Sequence, residues 1–211
     1  TSIETSIETE KSAITQEHTL PLTNKKNIIE IKIDLLYSRL TMAHIDSSLD
    51  LSDSKLLKNV DEKSVLSLNG NRVADEILKL VPNVNLFHGV LRCIKYWSKR
   101  RQINGHLFGY PGGIAYAILV ARICQLFPNY DEINLINKFF ELYKDWKWPI
   151  PVQLNKIENM NYNFKIWDPT NNPSDRFHKM PIITPAYPAM CSTHNIFSST
   201  LKRFKDECVR A

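Results

Sequence analysis

Three features of this sequence have residue types and spacing that could do chemistry. They are a lone carboxylate, Asp34, in a stretch that alternates with period two; two lysines, Lys95 and Lys99, four positions apart; and the glycine pair Gly112-Gly113 ahead of an apolar run. A carboxylate can ligate a divalent cation, and lysines one helical turn apart point the same way. Paired glycines let an anion approach the free amides that open a helix. None of the three suffices alone. A single Asp on a strand is usually solvated or a cap, and a Mg²⁺ site normally needs a second carboxylate or substrate phosphates. A Pro-Gly-Gly turn is more often punctuation between helices than a nucleotide site. Asp46, Asp50 and Asp53 are spaced like a helix face or turn caps and are assigned no chemistry.

Charge adds a fourth feature. The chain of 211 residues carries a net charge of +5. Residues 77–130 contain no Asp or Glu, whereas Lys79, Arg92, Lys95, Lys99, Arg100, Arg101 and Arg122 all fall there. The positive excess therefore belongs to one segment. It suits an anionic partner such as a nucleoside triphosphate, a nucleic acid or a phospholipid headgroup, and equally a solvated helix face. Several enzyme classes lose their basis: no Gly-x-x-x-x-Gly-Lys-Ser/Thr loop, no Gly-x-Ser-x-Gly elbow, no His-Glu-x-x-His and no Cys/His metal spacing occurs. The longest apolar run, residues 114–121, falls far below the roughly 20 residues of a membrane span. No N-terminal segment has the layout of a signal peptide. Cys93, Cys124, Cys191 and Cys208 are too far apart to chelate zinc and read as reduced intracellular thiols.

Elements must position these residues. Residues 1–27 begin with a repeated Thr-Ser-Ile-Glu, lack any aromatic and read as a tail or linker. Residues 28–36 alternate, with Ile29, Ile31, Ile33 and Leu35 on one face and Asp34 on the other, which predicts a half-buried strand. Asp53 predicts a capped turn through Lys58. Asn69-Gly70 predicts a chain break, followed by a short helix over 71–80 that stops at Pro82. Residues 85–102 place Leu86, Val90, Cys93, Ile94 and Trp97 on one helical face and Arg92, Lys95 and Lys99 on another. An apolar helix follows to about Phe127, then one capped by Asp131 with Ile133, Ile136, Phe140 and Tyr143 facing inward. Seven prolines between 148 and 188 predict an ordered, loop-like wrap, and a last helix runs from about Thr193 towards Glu207.

Several strings resemble the eukaryotic nuclear-type poly(A) polymerases. They are Ile-Lys-Ile-Asp-Leu-Leu-Tyr-Ser-Arg-Leu (31–40), Ser-Leu-Asn-Gly-Asn-Arg-Val-Ala-Asp-Glu-Ile-Leu (67–78) and Leu-Arg-Cys-Ile-Lys-Tyr-Trp-Ser-Lys-Arg-Arg (91–101). Lys-Phe-Phe-Glu-Leu-Tyr-Lys-Asp-Trp-Lys-Trp-Pro (138–149) and the long string 167–188, opening Trp-Asp-Pro-Thr-Asn-Asn-Pro, complete the likeness, which covers residue 28 onward. The implied fold class is α+β, mainly helical: a remnant of a nucleotidyltransferase sheet over 28–68, packed on a helical central domain over 69–211 with the Pro-rich wrap.

The resemblance implies template-independent transfer of AMP from ATP to an RNA 3′ end, with two Mg²⁺ or Mn²⁺ ions held by three aspartates. Asp34 matches the third aspartate, which makes it the catalytic metal ligand. Lys95 and Lys99 match the basic helix face at the nucleotide, Gly113 and Ile114 the pair against which adenine packs, and Asn69 an asparagine near the nucleotide. Asn195 matches a residue that touches the RNA primer. Asn104 stands where the family has a tyrosine that reaches the nucleotide, and His106 where it has an asparagine. The family's Gly-Ser motif and Asp-x-Asp pair have no counterpart in residues 1–27, and its RNA-recognition-like C-terminal domain has none either. The expectation is a fragment, inactive alone, of a nuclear enzyme that works with 3′-end processing factors and no membrane. The alternatives are a non-enzymatic RNA-binding or scaffold module on the central-domain fold, and a transferase of uridylyl or CCA specificity.

Overall fold

The computed structural model describes residues 35–42 and 44–211, and Leu36–Ala211 form one compact unit. Five helices carry it: α1 (Glu62–Leu80), α2 (Val84–Arg100), α3 (Gly113–Leu126), α4 (Glu132–Asp145) and α5 (Ser198–Arg210). The predicted strand over 28–36, with Asp34, falls almost wholly outside the described residues. Among these there is no strand, only two isolated bridges, Val152 with Ile182 and Ile183 with Cys191.

Local chemistry sets the helix starts. Asp53 accepts from the Lys55 amide to open a short 3-10 turn, Ser54–Leu57, as its spacing predicts. Asp61 caps α1 through the Ser64 amide at 3.0 Å, Asn83 caps α2 through two amides, and Asp131 caps α4 through the Asn134 amide at 2.8 Å. Helix α1 begins well ahead of the predicted break and runs straight through Asn69-Gly70. The turn signal is overridden because Val65, Leu68, Arg72 and Val73 bury one continuous face, while a Cβ on Gly70 would meet nothing within 4 Å.

Helix α3 is apolar all round, and Ala115 to Ala121 are all buried. It is accordingly the central helix and packs against α1, α2 and α4, while α5 closes on α4. On α2, Val90 and Ile94 are fully buried and Trp97 packs edge-on against Phe139, Phe140 and Phe204. Cys93, expected on that face, is exposed. On α4 the inward residues are Leu135, Phe139 and Tyr143, with Ile136 and Phe140 half-buried and Ile133 71% exposed. Both sets satisfy helical spacing; rotation of α4 towards α3 and Trp97 selects between them.

The wrap predicted between 148 and 188 runs over residues 146–197, with one short 3-10 turn, Pro173–Phe177, so the last helix opens at Ser198 and not near Thr193. Its backbone pairs with itself through Val152 N to Pro181 O at 2.9 Å and Ser192 N to Ile182 O at 2.8 Å. A second, smaller core of Leu57, Val60, Val65, Leu68 and Tyr187 joins the wrap to the start of α1. Buried Arg72 donates to the carbonyls of Leu51 and Tyr187 and to the Ser54 hydroxyl, fastening the turn, α1 and the wrap together. No described helix is long and apolar enough to cross a membrane, and all four cysteines are free thiols.

Candidate functional site

The basic stripe and the glycine pair meet. A Cβ on Gly113 would lie 3.7 Å from the Lys95 Nζ, so that ammonium rests against the first turn of α3. Gly112 precedes the helix with no side-chain cap, so the opening amides keep their capacity to bind an anion. An ammonium and the positive end of a helix dipole at one place is a repulsive arrangement that an anion would relieve. Ile114, 38% exposed, stands beside Gly113 as an apolar surface at the same point. Lys99 is exposed one turn further along α2. Among the described residues, no carboxylate pairs with Arg92, Lys95, Lys99 or Arg100; the nearest ion pair along α2 joins Arg101 to Glu207 at 3.6 Å.

The loop between α2 and α3 is locked from below. Ser98, fully buried, donates to the Lys95 carbonyl at 3.0 Å and accepts from the Asn104 amide at 3.4 Å. The Tyr116 hydroxyl holds the Ile103 carbonyl at 2.7 Å, and burial pushes that phenol well above its ordinary value, keeping it a neutral donor. Gly105, at φ +126°, allows the sharp turn in which its amide reaches the Pro111 carbonyl. Asn104 is thus tethered beneath the Lys95 turn.

Asn195 reaches the same loop from the wrap. Its Nδ2 donates to the His106 carbonyl, its Oδ1 is buried without a partner, and the His106 and His194 rings lie 4.9 Å apart. Asn69 stands apart from this group: its Nδ2 faces the Met190 sulfur at 3.8 Å and its Oδ1 is also buried without a partner. Lys95, Gly113, Ile114 and Asn104 are therefore brought together, Asn195 is joined to them through His106, and no contact joins Asn69. Asp34 lies outside the described residues. Sequence reasoning missed Ser98 and Tyr116, whose small or aromatic side chains carried no signal until tertiary packing buried them.

Among the described residues, no group of three His, Cys, Asp or Glu side chains could hold a metal ion. The described residues alone therefore do not fit a metal centre. A groove of about 320 Å³ runs between α1 and the wrap, lined among others by Val65, Leu66, Trp167, His178 and Met190, and none of the predicted site residues lines it. In it the Trp167 Nε1 donates to the His178 Nδ1 at 3.1 Å, and burial lowers the His178 pKa from its ordinary value.

Comparison with known proteins gives two family matches, the poly(A) polymerase nucleotidyltransferase domain over residues 3–81 and the poly(A) polymerase central domain over residues 86–211. Among curated relatives, Poly(A) polymerase PAPalpha of Candida albicans is 53% identical over 172 residues, 82% of this chain and 31% of that protein. Poly(A) polymerase pla1 of Schizosaccharomyces pombe is 50% identical over 187 residues, 89% of this chain and 33% of that protein. Nuclear poly(A) polymerase 2 of Arabidopsis thaliana is 51% identical over 172 residues, 82% of this chain and 22% of that protein. The chain spans a third or less of the length of these relatives.

Proposed function

Because this chain belongs to the poly(A) polymerase family, we propose that it forms part of an enzyme that transfers AMP from ATP to the 3′ end of RNA without a template. The observation that carries this reading is the Lys95 ammonium lying against Gly113 at the start of α3, within a segment free of acidic residues. That arrangement suits a triphosphate: Lys95 and Lys99 neutralise phosphate charge, the first amides of α3 supply directional donors, and Ile114 offers an apolar face for a base. Asn104, held by Ser98, contributes a donor directly or through a water. Asn69 contributes from α1, and Asn195 touches the RNA.

A divalent cation, Mg²⁺ or Mn²⁺, would lower the barrier by stabilising charge on the attacking and leaving oxygens. Asp34 is the residue of this chain assigned to hold it. The sequence has no Asp-x-Asp pair to complete such a site, so the chain alone should not polymerise adenylate. Asp34 is assigned to the nucleotidyltransferase domain, whose family match runs to residue 81, with the central domain following from residue 86. Nuclear placement and 3′-end processing partners follow from the same family reading.

The test uses a polypeptide carrying this chain together with the remaining length its relatives have, assayed with ATP, Mg²⁺ and an RNA primer. Asp34→Ala should abolish tail growth while RNA binding persists. Lys95→Ala should mainly raise KM for ATP, the more so at low salt, where the lysine–phosphate attraction is least screened. Full turnover in the Asp34 variant, or unchanged KM in the Lys95 variant, would remove the reading.

A further inference from the structure

The exposed face of α2 extends beyond the two lysines. Tyr96 is 67% exposed, and the Arg100 guanidinium lies 6.0 Å from the centre of its ring. Arg92 and Arg100 stand one turn before and one turn after Tyr96, Lys99 flanks it at i+3, and all three cations are exposed. An exposed tyrosine bounded by cations gains nothing from the core beneath, which α2 fills with Val90 and Ile94.

We propose that this outward face of α2, from Arg92 across Tyr96 to Arg100, binds single-stranded RNA, one base stacking on the Tyr96 ring while the flanking cations hold the phosphates. The inference deepens the adenylyl-transfer reading and rests on it for the choice of RNA. Three observations carry it. An aromatic face accepts any base, and a guanidinium beside it adds a planar cation able to stack as well. The segment 77–130 contains no acid to repel phosphate. Two carboxylates beside α2 lie away from Tyr96: Glu132 against Gly89, about two turns earlier, and Glu207 beside Arg101, past the helix end. Going round the helix, the basic arc continues from Lys95 at Gly113 through Lys99 to Tyr96. A strand whose end lies at the start of α3 can therefore pass over this ring. An acidic peptide would be served by the cations but has no use for the exposed ring between them.

The test measures anisotropy of short and long 5′-labelled oligoadenylates with the 211-residue chain in EDTA and without ATP, so that it does not depend on adenylyl transfer. Melting curves check that the surface variants remain folded. Tyr96→Leu should weaken binding of the long oligomer about fivefold or more, and Tyr96→Trp should retain it. Arg100→Ala should make the slope of log affinity against log salt shallower by about 0.7. Absence of oligoadenylate binding by the parent chain, or equal binding by Tyr96→Leu, would overturn the proposal. So would polyglutamate binding that matches oligoadenylate and falls equally in Tyr96→Leu. Loss of binding in Lys95→Ala with Tyr96→Leu unaffected would also overturn this surface, while leaving the adenylyl-transfer reading intact. Conversely, failure of the larger polypeptide to extend a primer would leave a Tyr96-dependent affinity standing.

Discussion

The helical bundle and the Pro-rich wrap are held together by different physics. In the bundle, α2 to α5 meet mainly through aromatic packing, as at Trp97, Phe139, Phe140 and Phe204, with the Trp97 Nε1 buried there without a partner. In the wrap, regular backbone pairing is rare and polar side chains replace it. Asn155 donates to the Pro185 carbonyl, Asn172 to the Ile166 carbonyl, and buried Thr193 bridges Met180 and Ile182. Prolines remove backbone donors and forbid helix, so the remaining carbonyls must find side-chain partners. The bundle should therefore fail by cavity formation and the wrap by loss of single hydrogen-bonding groups.

The largest effect expected from this contrast is in the bundle. Phe139→Ala should lower unfolding stability by about 3–5 kcal/mol in chemical denaturation, because its ring is fully buried among aromatics that cannot collapse into the gap. Next comes the joint between the regions: Arg72→Met keeps much of the volume but strands the carbonyls of Leu51 and Tyr187, at a loss of about 3 kcal/mol. A loss under about 1 kcal/mol there would mean the wrap does not depend on side-chain donors. Within the wrap, Thr193→Val preserves shape and removes the hydroxyl that serves Met180 O and Ile182 N, for about 1–3 kcal/mol.

The smallest effect is one of pH. The His178 pKa is lowered in the folded chain, chiefly by burial and further by His194 and Lys165, while Asp175 opposes. The unfolded chain therefore binds the proton more readily. Stability from this group is complete above its ordinary value near 6.5 and declines as pH falls through that value towards the lower folded one. Denaturation midpoints across this range should drop less steeply in His178→Gln than in the parent.

Thiol reactivity separates the surface of the bundle from its core. Burial pushes the Cys124 thiol up to about 11 and the Cys208 thiol to about 12, and both lie in the bundle core. Alkylation of the native protein should mark exposed Cys93 first and these two last, as peptide mass mapping would report. Early modification of Cys208 would show that α5 opens on its own.

Sequence pattern by itself determined the helix count after residue 60, the Asp53 and Asp131 caps, the apolar character of the helix after Gly112-Gly113, and the wrap, because capping, periodicity and proline act over a few residues. It also put Lys95, Lys99 and Gly113 on neighbouring elements, through a charge gap visible along the chain. Only the tertiary structure decided which way α4 turns, since Ile133 and Phe140 satisfy the same period as Leu135 and Phe139. It alone carried α1 through Asn69-Gly70, because burial of a continuous face outweighs a two-residue turn signal. And it alone set Lys95 against Gly113 and joined Asn195 to the loop after Asn104, 91 positions before it. Contacts between distant segments arise from the packing of whole helices, a property that no local window of residues contains.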